Sequence, residues 1–304
     1  MSMKFQQGSL LSQLGKWLQR GSSRAKLLMV PLIVFEIIFF IVPLLYLFRI
    51  SLYSPTGAGA YAAGTWSIRS YVQVLTSDLT IGLLIFTVKF TVVVTVVTLM
   101  LAVLLSYAVW RANGMLKTVL LFTVILPLLT TLVVKLYAWL LLLSPIGPFN
   151  SLLMRTGVIE QTMILMNNFL GTVVGQVYTA LPYATLAIYS VMSTIEWQTV
   201  QAARDLGASR PRSFFEVVLP QTLPGISVAT VVTFAWGVGA YASPALLGSA
   251  SETTFAIEVE RLMLQQFNWP VASALSIILL IFVLISVLLM FTALNHWGGD
   301  EMHV

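Results

Sequence analysis

Six long apolar runs dominate the chain, and a lipid bilayer is the solvent that suits them. They cover roughly residues 27–52, 81–110, 118–143, 168–192, 222–247 and 271–294. A helix crosses the hydrocarbon core with about 20 mostly apolar residues, and every run reaches that length. Composition agrees: 58% of the 304 residues are hydrophobic and only 9% are charged. A soluble domain carries about 25% charged residues. The chain therefore reads as an all-α polytopic membrane protein with six transmembrane helices. At about 1.5 Å per residue the second run exceeds the hydrocarbon thickness, so it should tilt or protrude.

Lys and Arg are unevenly shared between alternate loops. Lys4, Lys16, Arg20, Arg24, Lys26, Arg111, Lys117, Arg204, Arg210 and Arg212 fall in one set; Arg69, Arg155 and Arg261 fall in the other. Loops rich in Lys and Arg stay in the cytoplasm. The bias places both termini and the 193–221 loop there. The formal net charge of +5 then faces anionic lipid, and no nucleic-acid partner is needed. Residues 1–26 form a basic segment in which Leu10, Leu11, Leu14, Trp17 and Leu18 recur at helical spacing. That pattern suits an amphipathic helix on the inner leaflet; a disordered basic tail is the alternative. The first apolar run is too long for a signal peptide. The expected organisation is the N-terminal segment 1–26, a six-helix transmembrane unit 27–294 and a cytoplasmic tail 295–304.

Several chemistries are excluded outright. The chain has no cysteine, and its two histidines are His296 and His303, near the C-terminus. No thiolate, disulfide or intramembrane histidine site can be built. No G-x4-G-K-[ST] phosphate loop occurs, so no nucleotide cradle of that kind is present. No loop is long enough for a soluble domain.

One polar stretch, residues 193–220, is carefully punctuated. Ser193 and Glu196 have capping-box spacing at a helix start. Val200, Ala203 and Leu206 recur on one face. Gly207 is placed to end that helix in a left-handed conformation. Pro211 suits the start of a second short helix. Leu219-Pro220 and Pro224 read as the turn back into the membrane. The result is a helix–turn–helix with small residues at its centre, suited to a groove on a partner protein. A partnerless amphipathic loop is the plainer alternative.

Gln201, Ala202, Ala203, Gly207, Val217, Leu219 and Pro220 carry a resemblance. Their spacing resembles the EAA loop, E-A-A-x3-G-x9-I-x-L-P, of permease subunits of binding-protein-dependent ABC importers. Gln201 stands where that pattern has glutamate, and Val217 where it has isoleucine. The stretches "ILPLLTTLVVKLYAWLLLL", "YTALPYATLAIYSVMSTI", "GAYASPALLG" and "NWPVASALS" are similar to the spermidine/putrescine-type (PotB-like) branch. The resemblance implies a type I ABC importer permease fold in a bacterial inner membrane. It implies a second permease subunit, making a heterodimer, and two ATPase subunits that bind ATP and Mg. It also implies a periplasmic or lipid-anchored binding protein. No cofactor belongs to this chain, and membrane lipid surrounds it. Gln201, Ala202, Ala203, Arg204, Asp205, Leu206 and Gly207 would dock the ATPase.

Within the runs, ionisable residues are candidates for function. Glu36 lies in the first, where it either pairs with a basic neighbour or lines a wet cavity. Lys89 and Lys135 lie in the outer halves of the second and third runs. Arg49 and Lys135 suit snorkelling to the outer interface. The fifth run holds "AWGVGAYASP", with Gly237, Gly239, Tyr241, Ser243 and Pro244. Two glycines and a proline should break that helix, which makes it the candidate pathway lining and gate. Small-residue helix packing is the competing reading. Ala240 stands where the polyamine branch often has an acid. The expected solute is therefore small and polar, polyamine-like, or otherwise an amino-acid derivative, a phosphonate or another small anion. An ion-coupled secondary transporter would need acid or histidine relays. An intramembrane enzyme would need a catalytic constellation. The runs supply neither, and a plain scaffold leaves 201–207 unexplained.

Overall fold

Backbone N–H and C=O groups have no water to bond in a bilayer, so a chain of this composition closes them within helices. The computed structural model describes residues 29–56 and 61–298, and it is helical almost throughout. The amphipathic segment expected over 1–26 lies outside the described residues, as do the last residues of the 295–304 tail.

In chain order, α1 is Met29–Ser51, with a π turn at Ile37–Ile41. A two-residue hairpin follows, β1 (Ser54–Pro55) against β2 (Tyr61–Ala62), and then α2 (Arg69–Leu75). Helix α3 is Asp78–Arg111 and α4 is Gly114–Ile125, continued by a 3-10 turn at Leu126–Leu129. Helices α5 (Leu132–Leu143), α6 (Pro148–Arg155) and α7 (Phe169–Met192) come next. Helix α8 is Trp197–Asp205, and α9 is Arg210–Val238 with a π turn at Phe214–Val218. Three more follow: α10 (Ala242–Leu247), α11 (Phe255–Glu260) and α12 (Trp269–Gly298).

The centre is built from α3, α7 and α9. Helices α3 and α7 run parallel: Phe90 meets Phe169 at one end, and Ser106 donates to the Thr185 carbonyl (2.9 Å) at the other. Helix α9 runs antiparallel to both, with Gly237 on Thr91 and Gly225 on Ile188. The α4–α5 segment is antiparallel to α7, from Lys117 over Tyr189 to Trp139 against Tyr178. These directions are those of a chain that reverses with each long element. One end of the bundle carries α8; the other carries the hairpin, α2, α6 and α11.

Among the described residues, five helical stretches are long and apolar enough to cross a membrane: Met29–Ser51, Asp78–Arg111, Leu132–Arg155, Arg210–Val238 and Trp269–Thr292. Gly114–Leu129 is shorter. The 24-residue α7 is not among the five, although its run reads as a span in the sequence. It carries Thr172, Gln176, Thr179 and Thr185, all buried. Enclosed by α3 and α9, this helix is sheltered from lipid and tolerates polar side chains.

Three details correct the sequence reading. The third run is not one helix; it breaks at Thr130–Thr131. Pro127 has no N–H to continue the ladder, and Thr131 instead caps α5 by accepting from the Val134 N–H. Ser193 does not cap α8. Its hydroxyl donates to the Ser190 carbonyl (2.8 Å), finishing α7, and Glu196 at the N-cap of α8 makes no side-chain cap. Nor does the chain turn at Leu219-Pro220. Helix α9 passes straight through, because the π turn lets the Leu219 N–H reach the Phe214 carbonyl. That widened turn accommodates the missing N–H of Pro220.

Candidate functional site

Helix α8 ends as its residues dictate. Gly207 has φ +96°, the Gly207 N–H donates to the Arg204 carbonyl (2.9 Å), and the Ala208 N–H donates to the Ala203 carbonyl (3.0 Å). This pair of bonds is a Schellman motif, which closes the last carbonyls of the helix. Ser209 then caps α9 by accepting from the Arg212 N–H (3.4 Å), and Arg212 pairs with Glu216 at 2.8 Å.

The seven residues expected to meet a partner divide by exposure. Gln201, Ala202, Asp205, Leu206 and Gly207 face outward, with Leu206 90% exposed at the tip. Leu206 thus leaves the Val200–Ala203 face, because it is the C-cap where the chain turns away. Ala203 and Arg204 are half-buried, and Arg204 is turned inward. Its guanidinium lies 5.3 Å from the Trp197 ring, and its Nε donates to Ser213 Oγ (3.4 Å). Behind the outward face, Val200 is buried in a cluster with Ile188, Met192 and Val218.

About 20 residues further along α9 the helix stops. Val238 is its last residue, Gly239 its cap, and α10 begins at Ala242. Carbonyls released by such a break need donors at membrane depth. Gln176 Nε2 donates to the Trp236 carbonyl (3.2 Å), and Thr254 Oγ1 donates to the Ala240 carbonyl (2.8 Å). Ser243 Oγ donates to the Thr172 carbonyl (2.7 Å), tying α10 to α7. A cavity of about 340 Å³ opens beside the break, lined by Leu132, Gln176, Thr179, Trp236 and residues 239–243. No carboxylate, Lys, Arg or His lines it.

The structure brings Gly239, Tyr241 and Ser243 to this cavity and places the other candidates elsewhere. Gly237 packs on α3: a Cβ there would stand 2.8 Å from Thr91 Cγ2. Pro244 is buried within α10. Glu36 lies on the exposed stretch of α1, away from the cavity lining, and makes no ion pair among the described residues. Lys135 is only 8% exposed, so it is packed in the protein rather than snorkelling into open interface. Lys89 lies 5.2 Å from the Phe169 ring. Arg49 is pinned at the hairpin end by two bonds to the Thr65 carbonyl (3.1 and 3.0 Å) and by the rings of Tyr53 and Trp66.

Gln176, Trp236 and Thr254 escape a reading of the sequence. Gln176 alone carried a signal, as the single long amide within an apolar run. The partners of Trp236 and Thr254 are set by tertiary contacts between α7, α9 and the segment after α10.

Comparison with known proteins agrees with this architecture. The permease protein PotB of the spermidine/putrescine transport system of Haemophilus influenzae is 32% identical over 161 residues, 53% of this chain and 56% of that protein. The chain thus spans little more than half the length of the curated relatives it matches. A chain in a crystal structure of a bacterial ABC transporter involved in import of the acidic polysaccharide alginate superposes with TM-score 0.73 and 18% identity, over 95% of this chain and 99% of that one. A bacterial alginate ABC transporter in complex with its alginate pentasaccharide-bound periplasmic protein gives TM-score 0.71 and 17% identity, over 97% and 99%. At such identities the likeness is one of fold alone. Residues 97–296, more than half of the chain, match a family described as the binding-protein-dependent transport system inner membrane component. The chain belongs to that family: it is a multi-pass inner membrane transport component, and the family is not one of enzymes.

Proposed function

We propose that this chain is a permease subunit of a binding-protein-dependent ABC importer, forming half of a solute pathway. A second permease subunit supplies the other half. ATP and Mg are bound by separate ATPase chains, which dock on the outward face of α8. A binding protein delivers solute at the hairpin end. The Lys and Arg bias puts the α8 end and both termini in the cytoplasm. One observation carries the reading. The docking helix joins, through one Gly turn, a helix that runs unbroken from Arg210 to Val238 and ends beside the cavity. At about 1.5 Å per residue those 29 residues make a lever spanning the whole membrane.

The solute is small, polar and polyamine-like, as the system that contains the PotB relative suggests. Trp236 and Tyr241 are in the lining, and aromatic rings attract an ammonium group without fixing it. With no acid in the lining, this chain passes a cation more than it selects one. Selection falls to the binding protein and the second permease. The test is reconstitution of the chain with its ATPase, second permease and binding protein in proteoliposomes containing ATP. ATP-dependent uptake of labelled spermidine or putrescine is expected. ATP-dependent uptake of another solute alone would overturn the polyamine assignment, and no ATP-dependent uptake of any solute would overturn the importer reading.

A further inference from the structure

Trp197, the first residue of α8, takes no part in the outward face. Two guanidinium groups lie over its ring: Arg111, the last residue of α3, at 4.5 Å, and Arg204 of its own helix at 5.3 Å. Trp110 of α3 meets the same ring edge-on, with centroids 5.3 Å apart. Tyr107, one turn earlier on α3, meets Phe214 of α9 at 4.9 Å. Among the described residues neither Arg111 nor Arg204 has a carboxylate partner, so the indole is their shared anchor. Arg111 and Trp197 are far apart in the chain, and this joint exists only in the folded protein.

Helix α3 then leads to the break. From Arg111 to Thr91 it covers about 30 Å at 1.5 Å per residue. There Thr91 lies against Gly237, two residues before the cap at Gly239. One further turn on, Thr87 Oγ1 accepts from the Phe255 N–H (3.3 Å), at the start of α11. Two helices thus connect α8 to the cavity: α9 by covalent continuity and α3 by packing. They touch again, through Thr91 and Gly237, directly below the break.

We propose that Trp197 is a positioning residue, which couples α8 to α3 so that movement of α8 reaches the break along both helices together. With α9 alone pushed, the Thr91–Gly237 contact would have to slide. With the joint intact, both helices shift as one body and the displacement is delivered to the Gly239–Tyr241 segment. This inference rests on the docking of an ATPase at α8.

The test uses the assembled complex in proteoliposomes, reading ATPase retention on purification, basal ATP hydrolysis and labelled spermidine moved per ATP. Trp197→Leu keeps apolar packing against Trp110 and removes the π face; Arg111→Gln removes only the cation. Each should retain the ATPase and basal hydrolysis while solute moved per ATP falls about tenfold, the scale of losing cation–π contacts at a partly covered site. Trp197→Phe should restore most of the coupling. The double variant Trp197→Leu/Arg111→Gln should be no worse than Trp197→Leu alone, since without the indole Arg111 has already lost its partner in the joint. Unchanged solute per ATP in the single variants would overturn the proposal, as would a double variant whose loss is the product of the two. Loss of ATPase retention in Trp197→Leu would also overturn it, by making Trp197 a docking residue. If the unaltered chain fails to retain an ATPase at all, the docking reading itself fails, and this inference falls with it.

Discussion

Replacing Gly207 by valine puts the α8 turn under strain that can be worked from its geometry. Gly207 has φ +96°, and a Cβ added there would meet nothing within 4 Å. The cost is therefore backbone strain alone. A side chain in the left-handed region costs about 1–2 kcal/mol, and more when it is β-branched. Relief requires giving up the bonds from the Gly207 and Ala208 N–H groups, which frays the turn carrying Asp205 and Leu206. If the ATPase groove needs that turn formed, affinity falls by the same energy, roughly 5–30-fold. Asn tolerates left-handed conformations, so Gly207→Asn should retain most of the affinity. The assay is titration of purified ATPase subunit onto permease in nanodiscs, alongside membrane insertion measured by yield. Insertion should be unchanged in both variants. Wild-type affinity in Gly207→Val would refute the claim that the formed turn is what docks.

Other expectations follow from single contacts. Gly237→Ala places a methyl 2.8 Å from Thr91 Cγ2; it should lower the melting temperature in detergent, by the about 1–3 kcal/mol typical of overpacking. Thr91→Ser, which removes that methyl, should recover part of the loss, and no recovery would refute the contact. Asn150 is fully buried on α6, donating to the Ser144 and Met163 carbonyls and accepting from the Met163 N–H at 3.1, 3.0 and 2.9 Å. Asn150→Leu strands all three groups, costs about 3 kcal/mol and should open residues 156–164 to protease; unchanged digestion would argue against the staple. The Glu252 carboxyl is held below its ordinary value of 4.5: burial pushes it up, but bonds from the Ser249 hydroxyl and backbone N–H and from Ser251 outweigh that. A depressed carboxylate contributes stability above its unfolded value that is lost as pH falls through the folded one. The 249–252 turn should therefore loosen only below about pH 4.5, and Glu252→Gln should remove that pH dependence of its proteolysis.

What the sequence determined about this protein is what neighbours in the chain can decide. Hydropathy identified the long elements, because a bilayer punishes every exposed backbone group. Gly207 was legible as a left-handed terminator, since only local sterics set its φ. The break near Gly239 was legible for the same reason: two glycines weaken a helix wherever it lies. The chain's spacing from Gln201 to Pro220 was sufficient to identify the family to which residues 97–296 belong.

The tertiary structure decided which polar groups answer one another. Ser193 fits a capping box by spacing, yet its hydroxyl closes α7, because the turn between α7 and α8 begins there. Arg204 reads as a surface charge of the docking segment, yet it folds back over Trp197, since α3 brings a second arginine and a second tryptophan to the same place. Gln176 satisfies a carbonyl 60 residues away. Pro220 looked like a turn, and a π turn absorbed it. Each outcome depends on a partner from another helix or on a ladder that can widen by one residue. Local spacing carries no record of either.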